Sequence, residues 1–474
     1  MSEPSPPGAP TGAIAPLDLA VIGGGVVGCA VLRAATLAGL KCVLLERGAD
    51  ILSGASKGNS GLLHTAFDAP VGSLEHRLMQ RGRAIYLDIR GRMNLPLLET
   101  DALLVAWSDT EAQKLPEIAA KAHKNGVTSV RPASTAELRT HHPFLAESAV
   151  AGLVVPGEHV IDPWSAPLAY VLQALAHGAR VLRQAEVTAA ERRNGLWHLT
   201  TAQGPITARI VVAAAGNFGD RVEALAGRGG FAIRPRKGQF VVLDKTARRL
   251  MPTIVLPVPT ERTKGIVLCP TIYGNVLVGP TAEDQDDRSQ ATVEEATLRH
   301  LLAEGARMVP DLAAEPVTAV YAGLRPASDR SDYIIDASPA DGWITVAGIR
   351  STGLTASLGI AEHIVGLVGD HFQMLSPVPD VIWPRVPNLA EHLPRDHQRA
   401  GRGDLVCLCE TVTRAEIEAA LTGPLPVGDL GGLKRRTRAL MGRCQGFNCL
   451  AHVARLVEGR LVVTPPVERL GDGH

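Results

Sequence analysis

The segment Gly23-Gly24-Gly25-Val26-Val27-Gly28 constrains this chain more than any other. It follows Leu17 to Ile22, an apolar run with the length of a buried strand, and it opens the small-residue pattern Val26 to Leu40, a predicted helix ended by Gly39. Lys41 to Leu45 reads as a second buried strand. Strand, glycine turn, helix and parallel strand form a right-handed unit that needs helices on its faces, so the chain contains an α/β domain. Gly23 permits the tight turn, Gly25 lets the backbone approach a pyrophosphate, and Gly28 lets helix pack on strand. Val26 and Val27 begin the helix, whose free N–H groups meet phosphate charge. Glu46 ends the second strand, where a carboxylate can accept from both ribose hydroxyls of an adenosine, and Arg47 follows it. An acid rather than an arginine there speaks against a 2'-phosphate.

At 474 residues the chain is too long for one compact core. Its 46% hydrophobic and 20% charged residues are those of an ordinary globular protein. Lys plus Arg and Asp plus Glu balance at 48 each, so no long-range field draws it to nucleic acid or an anionic membrane. No window reaches the ~18 consecutive apolar residues of a membrane span. Residues 1–16 lack the basic start and apolar core of a signal peptide, and read as a disordered leader of a cytoplasmic protein.

From about Asn94 to Val150 the pattern turns helical, with Glu111 to Asn125 the clearest stretch, and Pro163 to His177 reads as another helix. Ala179 to Leu182, Val187 to Ala190, Trp197 to Thr201 and Ile210 to Ala214 read as strands. Between Phe231 and Val278 apolar and polar residues alternate in the manner of an antiparallel sheet with one wet face. The expected fold is therefore α/β, a Rossmann-type cofactor domain (about 17–90, 150–225 and 320–375) interleaved with an antiparallel-sheet substrate domain (about 91–149 and 226–319). A proline-rich linker, 376–403, leads to a small helical module, 404–474.

Four of the seven cysteines lie in that module: Cys407 and Cys409, then Cys444 and Cys449. An odd total, clustered at one end, argues against a disulfide framework. Two close thiol pairs brought together by helices supply four sulfur ligands, the set required by a 2Fe-2S cluster or by zinc, and spacing does not choose between them. The basic residues Lys434, Arg435, Arg436, Arg438 and Arg443 either offset the negative charge of such a site or form a solvated face. Cys29, Cys42 and Cys269 sit in apolar patterns as packing residues.

The stretch Ser56-Lys57-Gly58-Asn59-Ser60-Gly61-Leu62-Leu63-His64 resembles the second flavin-contact segment of the D-amino-acid oxidase superfamily. Val346-Ala347-Gly348-Ile349 with Gly353-Leu354-Thr355 is similar to its closing flavin segment, Ala214-Ala215-Gly216-Asn217 to its central one, and Glu186-Val187 to its adenine-contacting strand. The resemblance covers roughly residues 17–370. It implies FAD, contacted through Ser56, Asn59, Ser60, Gly61, Leu63, Val187, Ala215, Gly216, Gly348, Ile349, Gly353, Leu354 and Thr355. Within the superfamily the chain looks nearest to glycerol-3-phosphate dehydrogenases and 2-hydroxyglutarate oxidases. The terminal cysteines, with Gly442-Arg443-Cys444-Gln445-Gly446, are similar to the bacterioferritin-associated ferredoxin type of domain, which implies a 2Fe-2S cluster.

A flavin that oxidises an alcohol takes hydride at N5 while a base removes the hydroxyl proton, so positioning and a nearby base do most of the work. The resemblance places His64 beside the flavin ring as that base, and Arg325, in Tyr321-Ala322-Gly323-Leu324-Arg325-Pro326, as the planar donor that grips an anionic or carbonyl end. Lys237 and Gln239 are expected at a substrate-facing strand start, and Thr355 either bonds flavin or substrate or caps its helix. Respiratory glycerol-phosphate dehydrogenases place His after Lys-Gly-Ser, whereas Gln239 here follows Lys237-Gly238, and an Arg-Tyr pair after the histidine, whereas His64 leads into Thr65-Ala66-Phe67-Asp68. A hydroxy acid or polyol therefore competes with a phosphate ester as substrate. The expected activity is an FAD-dependent dehydrogenase acting on the CH-OH of a small polar molecule. Electrons would leave through the cluster to a protein or quinone, with room for additional subunits. The alternatives are oxidation of an amine or amino acid, and a non-catalytic electron-transfer role within a larger dehydrogenase.

Overall fold

A computed structural model describes residues 16–260, 265–373 and 375–462. Residues 1–15 of the predicted leader, and residues 463–474 of the predicted module, lie outside the described residues. Strand β1 (Leu17–Ile22), helix α1 (Val26–Leu37) and strand β2 (Cys42–Leu45) form the expected unit, with Leu19 beside Cys42 and Ile22 beside Leu45 in parallel register. Both strands are apolar without alternation because both faces are covered, Leu19, Val21, Cys42 and Leu44 by helices and Ala20, Ile22, Val43 and Leu45 by residues such as Val187, Trp197 and Leu199. The sheet has eight strands. Arg180–Leu182 lies outside β2, Ile206–Ala213 pairs with the other edge of β1, and the latter strand's C-terminal half continues to Trp343–Ala347 and Ile334–Ser338. Its N-terminal half carries the hairpin Val187–Arg193 and Leu196–Thr201. Helix α1 packs against helices Ser165–Ala176 and Gly353–Phe372, and the last of these also packs on helix Leu74–Met93.

A second sheet of nine strands stands beside the first. Its longest members, Ile233–Leu243 and Val317–Ser328, pair antiparallel with Arg236 opposite Arg325 and Gly238 opposite Gly323. Two expectations are corrected here. The stretch expected to be helical from Asn94 contains the strands Leu97–Leu98, Ala102–Ala106 and Arg131–Ala133, and its helix is split into Asp109–Ala112 and Leu115–Lys124, with Pro116 in the first turn of the second piece. Strand Ala151–Val155, assigned to the cofactor part, pairs with Ala102–Ala106 inside the nine-stranded sheet.

The predicted linker is a packed strap. Ser376 N–H donates to Ala38 O (2.9 Å) and Val386 N–H to Met93 O (3.1 Å), while Val386, Leu389 and Ala390 are buried. Beyond it, hairpin Leu405–Cys407 and Val412–Thr413 and helices Arg414–Thr422, Leu430–Thr437 and Leu450–Val457 close around Val406, Val412, Ile417, Leu433 and Val453. Among the described residues no helix is long and apolar enough to cross a membrane.

Candidate active site

The glycine turn has the shape its sequence requires. Gly23 has φ +109°, and a Cβ there would stand 2.5 Å from Ala214 O; at Gly28 it would stand 1.9 Å from Gly23 O. A cleft runs along the turn in two parts that share Gly25, Ser56, Ala214 and Gly216. One part is lined by Gly23, Glu46, Arg47, Glu186, Val187 and Ala215, the other by Val26, Val27, Asn59, Ser60, Gly348, Ile349, Gly353 and Leu354. The Glu46 carboxylate, raised by burial, accepts N–H bonds from Gly24 and Gly48, both 2.7 Å, which fixes its orientation at the cleft floor. The Arg47 guanidinium lies 3.7 Å from the Phe218 ring centre at the same end. A narrow cleft with a carboxylate at one end and a glycine-walled waist fits an extended dinucleotide.

Three predicted contacts sit differently. The Leu63 side chain is fully buried in the core, and Leu62, the neighbour of opposite facing, lines a cavity instead. Gly61 has φ +77° and lines the far side of the loop, where the Asn59 side chain accepts its N–H at 2.7 Å. Thr355 neither caps a helix nor reaches the cleft; its hydroxyl donates to Leu62 O (3.2 Å) and accepts from His64 N–H (3.1 Å), tying the helix Gly353–Phe372 to the histidine strand.

A further cavity opens from Ser60 and Arg325 and contains His64, Arg236 and Arg350. His64 Nδ1 lies 2.9 Å from Glu158 Oε2, and Glu158 Oε1 accepts from both the N–H and the hydroxyl of Thr65 at 2.7 Å. Burial pushes the Glu158 carboxyl up, but His64 and the Thr65 donors outweigh it and hold it below the usual carboxylate range. An anion on Nδ1 makes that nitrogen the N–H of the ring and leaves Nε2 as the basic one. Arg325 donates to the carbonyls of Arg236, Lys237 and Thr281; burial, then the charge of Arg236, pushes it down to about 10, so it remains a cation at neutral pH. Arg236 pairs with Asp284 (2.7 Å). Sequence reasoning misses Glu158 and Arg350: nothing local marks Glu158, whereas Arg350 directly follows Gly348-Ile349 and is within reach of that motif.

Lys237 and Gln239 are not brought to this cavity. Successive strand residues face opposite sides, so Gly238 lines the cleft and its two neighbours point away. Lys237 Nζ meets Glu294 (2.6 Å) and Glu283 (3.0 Å), and the fully buried Gln239 bonds Glu283 and the N–H of Glu294.

In the terminal module Cys407 lies beside Cys449 and Cys409 beside Cys444, and Cys407 and Cys409 also feel each other. Among the described residues no three His, Cys, Asp or Glu side chains converge on a single metal ion. The four thiols nonetheless gather in one place, as the ligands of a 2Fe-2S cluster require. Backbone N–H groups, that of Asn448 foremost, hold the Cys444 thiol below its usual value, whereas burial pushes the Cys407 thiol up to about 11. The basic run is not arrayed around the thiols: Arg436 pairs with Asp50 (2.5 Å), Arg438 with Glu410 (2.9 Å) and Arg443 with Asp244 (2.9 Å). Cys29, Cys42 and Cys269 are buried, and burial raises all three thiols, that of Cys42 to about 12.

Comparison with known proteins agrees with both halves of the molecule. Residues 405–458 match the BFD-like [2Fe-2S] binding domain. A glycerol 3-phosphate dehydrogenase of Caloramator mitchellensis is 28% identical over 457 residues, covering 94% of this chain and 95% of the relative. A subunit of the anaerobic glycerol-3-phosphate dehydrogenase of Escherichia coli K12 is 28% identical over 502 residues, covering 94% and 89%. The dithionite-reduced L-alpha-glycerophosphate oxidase of Mycoplasma pneumoniae, solved with FAD bound, superposes with a TM-score of 0.74 at 26% identity, over 79% of this chain and 100% of that one. Residues 18–367 match the FAD dependent oxidoreductase family, and the chain belongs to it: an FAD enzyme that carries a 2Fe-2S domain at its C-terminal end.

Proposed function

We propose that this enzyme oxidises the secondary CH-OH of a small anionic alcohol, a glycerol 3-phosphate-like ester or a 2-hydroxy acid, to the ketone, and delivers the electrons through its cluster to a protein or quinone. The observation that carries the reading is the buried Glu158 behind His64 in a cavity that also holds Arg236, Arg325 and Arg350. Nε2 of His64 takes the hydroxyl proton, and the charge that the ring gains is met by Glu158. The arginines neutralise the substrate's anionic end and fix its carbinol carbon. FAD, when bound, supplies the hydride acceptor. Gly23, Gly25 and Gly28 would admit its diphosphate, Glu46 its ribose, and the segments around Ser60, Gly348 and Leu354 its ring.

The relatives named above as glycerol 3-phosphate dehydrogenases support the alcohol class, and the multi-subunit naming of the Escherichia coli relative supports additional subunits. The test is anaerobic mixing of the holoenzyme with glycerol 3-phosphate, 2-hydroxyglutarate and a panel of amino acids. Loss of flavin colour with the phosphate ester or hydroxy acid is expected. Bleaching by an amino acid with release of ammonia would replace the reading with amine oxidation, and bleaching only when a partner dehydrogenase is added would replace it with an electron-transfer role.

A further inference from the structure

The loop between Glu46 and Ser56 has two sides. Its inner side builds the cleft: Leu52 N–H donates to Gly24 O (2.9 Å), Gly48 N–H to Glu46 (2.7 Å), and Ser56 Oγ accepts from Val26 N–H (3.0 Å). Its outer side is gripped by the terminal module. Asp50, fully buried, accepts from Arg436 (2.5 Å) and from Gly428 N–H (3.2 Å), and Arg435 donates to Ile51 O (3.0 Å). The fit leaves no room for side chains: a Cβ on Gly428 would stand 1.8 Å from Ala49 O, and one on Gly432 1.9 Å from Asp50 Oδ2. Two residues beyond Asp50, Leu52 is held at φ +63°, a conformation a leucine keeps only when its surroundings impose it.

We infer that the terminal module braces the FAD site from outside, and that Asp50 is the positioning residue through which Arg436 and Gly428 hold the 48–56 loop against the glycine turn. The inference rests on the reading that the flavin's diphosphate lies at that turn. A buried charge deprived of its partner, on either side of the pair, is costly to leave in place, so breaking the pair lets the loop move and opens the Leu52 to Gly24 bond at the cleft floor. Binding linkage is reciprocal, so FAD, by fixing the loop, stabilises the module's grip in turn. The module thus serves two ends, carrying the cluster and keeping the flavin seated.

Two measurements on the full chain test this. In Asp50→Asn the FAD dissociation constant, followed by flavin fluorescence, is expected to rise by about 5- to 150-fold, the range of ordinary coupling between sites, while the cluster's visible absorption and the far-ultraviolet dichroism stay as in the parent. Unchanged FAD affinity in that variant overturns the inference. Should the variant not fold, hydrogen exchange of the parent chain decides: adding FAD to the FAD-free protein should slow exchange across residues 428–436, none of which lines the cleft, and no change there overturns it. A Gly25→Val variant separates the two claims. Full FAD affinity in Gly25→Val removes the placement of the diphosphate itself, whereas full affinity in Asp50→Asn alone removes only the clamp.

Discussion

Glu158 is the residue whose charge the proposed chemistry needs most. It is fixed by three donors, and its carboxyl is held below the ordinary range, so it is an anion at neutral pH. Replacing it with Gln keeps the shape but lets the ring choose the wrong tautomer and removes the charge that stabilises its protonated form. Glu158→Gln is expected to lower kcat by about 10²- to 10⁴-fold with little change in KM, measured by steady-state kinetics with an artificial acceptor. The same depressed carboxyl contributes stability that is complete above the unfolded pKa of ~4.3 and is lost as the pH falls through the lower, folded value. The melting temperatures of parent and Glu158→Gln should therefore differ at neutral pH and converge in acid below the carboxylate range. Arg325→Lys removes a planar, carbonyl-braced donor and should raise KM more than it lowers kcat. Lys237→Ala and Gln239→Ala, by contrast, act on an ion-pair cluster across the strand from the cleft, and should leave KM for the alcohol where it is while lowering stability.

Elements differ in how openly the sequence declares them. The β1–α1–β2 unit is legible because every requirement in it is local: an apolar run, a turn that only glycine can make, a helix of small residues, an acid at the next strand end. Ala102–Ala106 misleads because five consecutive apolar residues without alternation suit a buried strand and a buried helix equally, and only its pairing with Ile254–Pro257 and Ala151–Val155 decides. The facing of Lys237 and Gln239 is lost for a related reason, since a strand's alternation shows which residues share a side but not which side meets the cofactor. Helix Arg414–Thr422 is legible from its start: Thr413 accepts from Glu416 N–H (3.1 Å) while the Glu416 carboxylate accepts from Thr413 N–H (2.8 Å). Thr413→Ala should cost about 1 kcal/mol, read as a shift in the denaturant midpoint with unchanged slope.

At the scale of the whole molecule, the terminal module reads as a separate unit in sequence and is not one in space. Its docking depends on pairs such as Arg436 with Asp50, 386 residues apart, for which no local pattern exists. Leu425 is part of the main core beneath the first sheet, together with Val386 of the strap. Arg438, buried, sits between Glu410 of the module and the Tyr273 ring of the second sheet, 4.0 Å from the ring centre, and Tyr273 in turn donates to Asp162 (2.7 Å). Separating module from body would expose an apolar contact, part Asp50 from Arg436 and Asp244 from Arg443, and lift the Arg438 guanidinium off the Tyr273 ring. Such an interface makes independent melting of the two parts unfavourable, since the intermediate would carry all the lost pairing and little of the gained chain entropy. Heating the holoenzyme should accordingly release flavin fluorescence and bleach the cluster at a common midpoint. A cluster that bleaches well below the temperature of flavin release would mean that the buried pairs at the interface contribute far less than their burial implies.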